Sequence, residues 1–246
     1  MRAVSALELR KKKILLLISN NLGLKVLSLL KRNKKLLISC YTSKKIREKK
    51  FKFVANKKSF ENNLKKENKF DFIILVYWPF LVNKKLFKKF NNSINFHPSY
   101  LPYGRGWYPH VHAILNRKMK YGVSLHQINN NIDSGKIWKQ KRIFLKGFVD
   151  STDLYLKAQQ EIYNLFKSNY MKIINSKIKP KTQRKTRHFY NKKAVNKYDE
   201  INLNKKYTLR NLINLIKSRS FYNKSFIYFK ENKKKYFIKI KLSNGK

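Results

Sequence analysis

The stretch Ile94 to His110, INFHPSYLPYGRGWYPH, sets a carboxamide, Asn95, two residues from an imidazole, His97, just ahead of a loop dense in Pro, Gly and aromatic residues. A second stretch, Asn129 to Ile137, NNNIDSGKI, carries the carboxylate of Asp133 on a polar turn. Acyl transfer to an amine needs a donor for the oxyanion that develops, a group to take the amine's proton, and a group to hold that base in orientation. Carboxamide, imidazole and carboxylate supply all three. Asn95 can donate an N–H to an oxyanion, neutral His97 can accept a proton near neutral pH, and Asp133 can orient His97 and favour its charged form. Each residue alone has an ordinary structural use: Asn is abundant in this chain, a strand-end His is commonly a hydrogen bonder, and Asp-Ser-Gly is a common turn. Their joint occurrence, in this order and separation, points to chemistry.

Such residues must be held by regular elements. From Lys13 the chain alternates short β-type runs with helix-period segments, the pattern of an open α/β sheet. Strands are expected at Ile14 to Ser19, Lys35 to Cys40, Phe51 to Ala55, Phe72 to Tyr77 and Ser93 to Phe96, and helices at Leu22 to Arg32, Ser59 to Glu67 and Asn83 to Phe90. Alternation along the fifth strand puts Asn95 and His97 on one face, and the crevice beyond the carboxyl ends of such strands is the usual ligand site. A helix to Asn116, strands at Gly122 to Gln127 and Lys136 to Ile143, and a long helix to Ile174, capped by Ser151, Thr152 and Asp153, complete the main domain. Leu209 to Ile216 reads as a short helix, and Ser225 to Phe229 with Tyr236 to Ile240 as a hairpin. The expected fold is thus α/β, a Rossmann-like open twisted sheet with a small C-terminal α+β unit. Along the chain this gives a basic leader over 1–13, a catalytic domain over 14–176, a basic linker over 177–187 and the C-terminal unit over 188–246. The first turn, SNNLG, lacks the Gly-rich loop of a dinucleotide site.

The 246 residues are 42% apolar, with 17 Phe and 15 Tyr, enough to build a core despite the lysine load. Lys and Arg total 59 against 12 acidic residues, a formal charge of +47, which ordinarily points to nucleic acid or an anionic surface. Only 11 of the 59 are Arg, and the 48 Lys are spread through every segment, whereas a binding footprint would cluster. The spread reads as a residue-usage bias typical of an AT-rich genome, with a field that still attracts anionic substrates. A single cysteine, Cys40, excludes a disulfide framework and a cysteine metal site and fits a reducing, cytoplasmic compartment. The apolar run ILLLIS is far too short to span a bilayer.

The motif-bearing residues resemble the formyltransferase family, which includes methionyl-tRNA formyltransferase, glycinamide ribonucleotide transformylase and the nucleotide-sugar N-formyltransferases. Its pattern, Asn-x-His-x-Ser-x-Leu-Pro-x-x-Arg-Gly, then Gly-Val-Thr-x-His, then Gly-x-Asp-Thr-Gly, is met by Asn95, His97, Ser99, Leu101, Pro102, Arg105 and Gly106, then Gly122, Val123 and His126, then Asp133 and Gly135. Asn131, Ser124 and Ser134 depart from it, all small or turn-tolerant changes outside the triad. The resemblance implies 10-formyltetrahydrofolate as co-substrate, no metal, and catalytic roles for Asn95, His97 and Asp133. It implies cofactor contacts from Tyr77, Trp78, Pro79 and Phe80 after the fourth strand, with Trp78 and Pro79 as pterin wall or aromatic core edge. Arg105 falls to the folate or to the loop carbonyls. His110 and His112 read as acceptor contacts or as surface groups of the loop, and His126 as an inward, structural histidine.

The acceptor is narrowed by what flanks the motifs. The SNNLGLK turn is not the Gly-Ser-Gly phosphate loop of the ribonucleotide transformylase, and the stretch after Lys185 is short for the C-terminal barrel of the tRNA enzyme. The tail resembles that of the sugar N-formyltransferases, although Ser218 to Tyr222, SRSFY, departs from the usual run there. The resemblance implies formyl transfer to the amino group of a nucleotide-linked amino-deoxy sugar, for surface polysaccharide synthesis, in an enzyme that is a possible homodimer through its tail. Formylation of methionyl-tRNA, which the basic charge would suit, is the alternative within the family; a basic nucleic-acid-binding protein on a formyltransferase scaffold is the alternative outside it.

Overall fold

Ile14 to Ile18 are all inaccessible to solvent, as residues of a parallel strand covered on both faces must be. They form most of β1 (Lys12–Ile18). The computed structural model describes residues 10–44, 51–116, 120–145, 147, 149–184 and 189–240. Most of the expected basic leader, the last residues of the expected linker and His188 lie outside them. After β1 come α1 (Asn21–Lys31), β2 (Leu36–Thr42), β3 (Lys52–Phe53), α2 (Lys57–Lys66), β4 (Phe70–Val76), β5 (Phe90–His97), α3 (Pro109–Leu115), β6 (Tyr121–His126), β7 (Ile137–Ile143) and α4 (Ser151–Ile174). The C-terminal part holds α5 (Leu209–Ser218), β8 (Ser220–Phe221), β9 (Lys224–Ser225), β10 (Tyr228–Glu231) and β11 (Lys234–Phe237).

Seven strands form one sheet in the order β3-β2-β1-β4-β5-β6-β7. The pairings are parallel from β3 to β5 and turn antiparallel between β5 and β6. The α/β fold expected from the sequence is the one observed. Asn20 opens α1, its side chain accepting from the Gly23 N–H at 3.2 Å, and a Cβ on Gly23 would stand 2.4 Å from that of Ile18. Only glycine lets the helix lie this close to the strand before it. Asn56 caps α2 and Thr208 caps α5 in the same way.

Four local expectations need correction. The segment Asn83 to Phe90 holds a 3-10 turn over Lys84–Lys89, not an α-helix: within that turn only Leu86 is buried, too little apolar face to fix two helical turns, and Phe90 already belongs to β5, paired with Phe70. The strand expected over Phe51 to Ala55 shrinks to the exposed pair Lys52–Phe53 at the sheet edge. Helix α4 is capped one residue earlier than read, by Asp150, whose carboxylate accepts from the Asp153 N–H at 2.9 Å while Asp153 accepts from the Asp150 N–H at 3.2 Å. The C-terminal hairpin is β10 with β11, because Asn232 and Lys233, at φ 47° and 63°, form a two-residue turn of the kind that suits strand twist. Ser225, expected in that hairpin, instead pairs with Ser220 in a smaller one.

Two compact units divide the chain, neither of them continuous. One comprises Met1–His97, Ser124–Lys139 and Tyr163–Gln183; the other comprises Pro98–Val123, Gln140–Ile162 and Arg184–Lys246. The core of the first is built on Leu15, Leu17, Tyr41, Phe60, Leu64, Ile73 and Leu75. In the second, Ile201, Ile216 and Ile227 make a small cluster beneath α5 and the hairpin. Beside it Arg219 grips Asp199 through two hydrogen bonds, Nε to Oδ1 at 2.5 Å and Nη2 to Oδ2 at 3.1 Å. The SRSFY segment is further tied to the start of α4, where Ser151 Oγ donates to the Ser218 carbonyl and the Tyr222 N–H to Thr152 Oγ1.

Candidate active site

The first unit brings Asn95, His97 and Asp133 together. Asn95 lies opposite His126 across the antiparallel β5–β6 pair, so their side chains share a face. His97, two residues on, points to the same side from the end of β5. The turn between β6 and β7 returns Asp133 to this pair. Its Oδ2 is 3.4 Å from His97 Nδ1, and its Oδ1 is 3.4 Å from Asn95 Nδ2 and 3.6 Å from His126 Nε2.

Hydrogen positions follow from the partners. His126 Nδ1 is 2.7 Å from the Gln127 backbone carbonyl, which can only accept, so Nδ1 carries the hydrogen. With Nε2 as the acceptor, it receives a hydrogen bond from Asn95 Nδ2 at 2.9 Å. Were the Asn95 amide flipped, its oxygen would face both the imidazole lone pair and the Asp133 carboxylate. His126 therefore sets which end of Asn95 points where. One Nδ2 hydrogen is committed to His126, and the second, in only a long contact with Asp133, is the one suited to an incoming oxyanion. His97 is buried, with Nδ1 turned to the Asp133 carboxylate.

The Asp133 turn is built for close approach. Asp133 itself has φ 46°, in the left-handed region that Asp and Asn tolerate better than most side chains. A Cβ on Gly135 would meet the Gln127 carbonyl oxygen at 1.8 Å, which accounts for glycine two residues after Asp133. Ser134 Oγ donates to Asn129 Oδ1 at 2.6 Å and keeps the hydroxyl that the family pattern has as Thr.

The remaining candidates have the following surroundings. Tyr77, at φ 53°, follows β4, and its carbonyl accepts from the Ser19 hydroxyl. The Trp78 ring packs edge-on against Phe60 at 5.3 Å and Phe80 at 5.4 Å, on the flank of the core, while Pro79 is exposed. Arg105 belongs to the second unit, where it is buried and its carbonyl accepts from the Tyr190 N–H at 2.8 Å. His110 and His112, read from sequence as possible surface groups, are buried: His110 lies among Tyr108, Tyr155 and Phe221, and His112 stacks on Tyr190 with centroids 3.4 Å apart. Burial, followed by the charges of His112 and Arg219, pushes the His110 pKa down to about 3. Among the described residues no helix is long and apolar enough to cross a membrane.

Comparison with known proteins identifies the family and the fold. Residues 3–168 match the formyl transferase family model, and residues 194–244 match that of the N-formyltransferase dimerization C-terminal domain. A methionyl-tRNA formyltransferase of Mycoplasma capricolum is 31% identical over 68% of this chain. The chain spans 56% of that relative's length. A 4-N formyltransferase from Francisella tularensis has the same fold, with TM-score 0.86 and 24% identity over 96% of this chain and 99% of that one. An N-formyltransferase from Helicobacter canadensis, solved with folinic acid and dTDP-3-aminofucose, superposes with TM-score 0.66 and 22% identity over 92% and 86% of the two chains.

Proposed function

We propose, from the premise that the chain belongs to the formyl transferase family, that it moves a formyl group from 10-formyltetrahydrofolate to the amino group of a nucleotide-linked amino-deoxy sugar. The observation that carries this reading is the convergence of Asn95, His97 and Asp133 within 3.4 Å contacts at the end of β5. The donor set fits such a co-substrate: an amide N–H aimed where acyl oxygen charge develops, and an imidazole–carboxylate pair to receive an amine proton. The co-substrate supplies the formyl carbon as electrophile. Asn95 holds negative charge on the oxygen, His97 takes the amine's proton through Nε2 and returns it to the folate nitrogen as the old carbon–nitrogen bond breaks, and Asp133 holds His97 and balances the transient imidazolium.

The sugar acceptor is supported by the tail. Residues 194–244 match the N-formyltransferase dimerization domain, and that tail is the basis for proposing a homodimer; the single Cys40 is the basis for proposing a cytoplasmic enzyme, and the sugar acceptor that for a role in surface polysaccharide synthesis. The pairing of β10 with β11 and the exposed apolar side chains of Phe226, Tyr236 and Phe237 lie in this part. Methionyl-tRNA is the second reading, favoured by the Mycoplasma relative and by the charge of +47. Incubation with 10-formyltetrahydrofolate and dTDP-linked 3-amino and 4-amino sugars, in parallel with methionyl-tRNA, separates the two. Formylation of a sugar is the expected result. Selective formylation of methionyl-tRNA at physiological salt, with every sugar untouched, would replace the sugar reading. Light scattering tests the homodimer.

A further inference from the structure

Gln183 lies in the segment 177–187 that reads as a linker, yet it is only 8% exposed. Its carboxamide nitrogen donates to two backbone carbonyls of the turn that carries the triad's carboxylate: Asp133 O at 3.0 Å and Gly135 O at 2.5 Å. A carboxamide has two N–H donors, so both are spent on this one turn. The approach of Gln183 is fixed two residues earlier. Lys181 makes a reciprocal backbone pair with Ile137, at the first residue of β7, with N–O distances of 2.7 and 2.8 Å. The segment therefore runs along the start of β7 and delivers an amide to the turn just before it. That turn needs holding: Asp133 has φ 46°, Gly135 is pressed against the Gln127 carbonyl, and the contacts of the Asp133 carboxylate with His97 Nδ1 and Asn95 Nδ2 are each 3.4 Å, lengths that a small drift of the turn would change.

We infer that Gln183 is a positioning residue for formyl transfer, clamping the Asp133 turn so that the carboxylate meets His97 and Asn95. The inference rests on the proposed function for its kinetic readout. It assigns a role in the site to a residue outside the motifs, in a stretch whose composition suggests only a basic tether. Gln183 touches the turn's backbone and acts through Asp133.

The test uses the full chain and whichever acceptor the parent formylates. Gln183→Met keeps the bulk and removes both donors; Gln183→Glu keeps the shape and turns an acceptor toward two carbonyls; Gln183→Ala removes the side chain. All three are expected to lose about 10- to 100-fold in kcat, the scale of a displaced catalytic group. The acceptor KM and the affinity for 5-formyltetrahydrofolate, used as probe, should stay within a few-fold. The deciding measurement is a double-mutant cycle with Asp133→Asn. If Gln183 acts through Asp133, Gln183→Met adds little to the loss already caused by Asp133→Asn. A merely structural glutamine gives multiplied losses, or a change in KM alone, and either result overturns the inference, as does parent-level kcat in a folded Gln183→Met protein. Hydrogen exchange over residues 129–137 supplies a readout independent of activity: Gln183→Met should expose these amides. If the parent formylates none of the acceptors, the functional reading fails by itself, and unchanged exchange in Gln183→Met would then remove the clamp as well.

Discussion

Two pairs of buried histidines make opposite use of the same side chain. In the first unit His97 and His126 flank the carboxylate of Asp133, and each has a polar partner for at least one ring nitrogen. In the second, His110 sits among aromatic rings and His112 is stacked flat on one. Burial among uncharged groups favours a neutral imidazole, whereas a carboxylate beside a buried imidazole favours its charged form. Depth in the protein does not identify a catalytic histidine; the group facing it does.

The comparison predicts its largest effect at His97. His97→Ala should cost ~10²- to 10⁴-fold in turnover by removing the general base, and Asn95→Ala about 10²- to 10³-fold by removing an oxyanion donor. The double variant should be little worse than the poorer single one, because both act on one transition state. Single-turnover assays settle this. Turnover within a few-fold of the parent in either variant would end the catalytic assignment.

Next in size is Gly135→Ala. The new methyl cannot share space with the Gln127 carbonyl, so the turn must move and take Asp133 with it. A displacement of ~1 Å is worth about 10²-fold in rate. The folded variant should lose turnover while still binding 5-formyltetrahydrofolate, and unaltered turnover would show that the turn's position is not critical.

The second pair shows itself in stability. His110 in the folded chain has a pKa near 3, below its ordinary value of 6.5, so on acidification the unfolded chain takes the proton first. Its contribution is therefore fully present above about pH 6.5 and is lost as pH falls toward 3. Urea unfolding of the parent against His110→Phe should show the parent losing about 2 kcal/mol more than the variant between pH 7 and pH 5. Parallel pH profiles would place His110 in water. The smallest effect is expected at Ser134→Thr, which restores the family residue and keeps the hydroxyl on Asn129; turnover should change by less than a few-fold.

The placement of Asn95 and His97 was legible because it is written in one contiguous motif. Asn95 and His97 lie two apart on one strand, and alternation alone puts them on one face. For the second pair, read as acceptor contacts or as surface groups, the surface reading fails because Tyr155, Tyr190 and Phe221 close over it, which nothing local in a Pro- and Gly-rich loop announces. The roles of His126 and Gln183 were also out of reach. His126 faces Asn95 only because β6 runs antiparallel to β5, a direction that hydrophobic alternation does not encode.

By itself the sequence determined the α/β order of elements, the strand that carries Asn95 and His97, and the turn that carries Asp133, because periodicity and turn chemistry are local. Tertiary structure decided how the Asp133 turn meets β5, which nitrogen of His126 faces Asn95, and that Gln183 reaches the turn from 48 residues away. Those contacts join segments distant in the chain, and their geometry depends on strand direction, register and close packing that no short window of residues specifies.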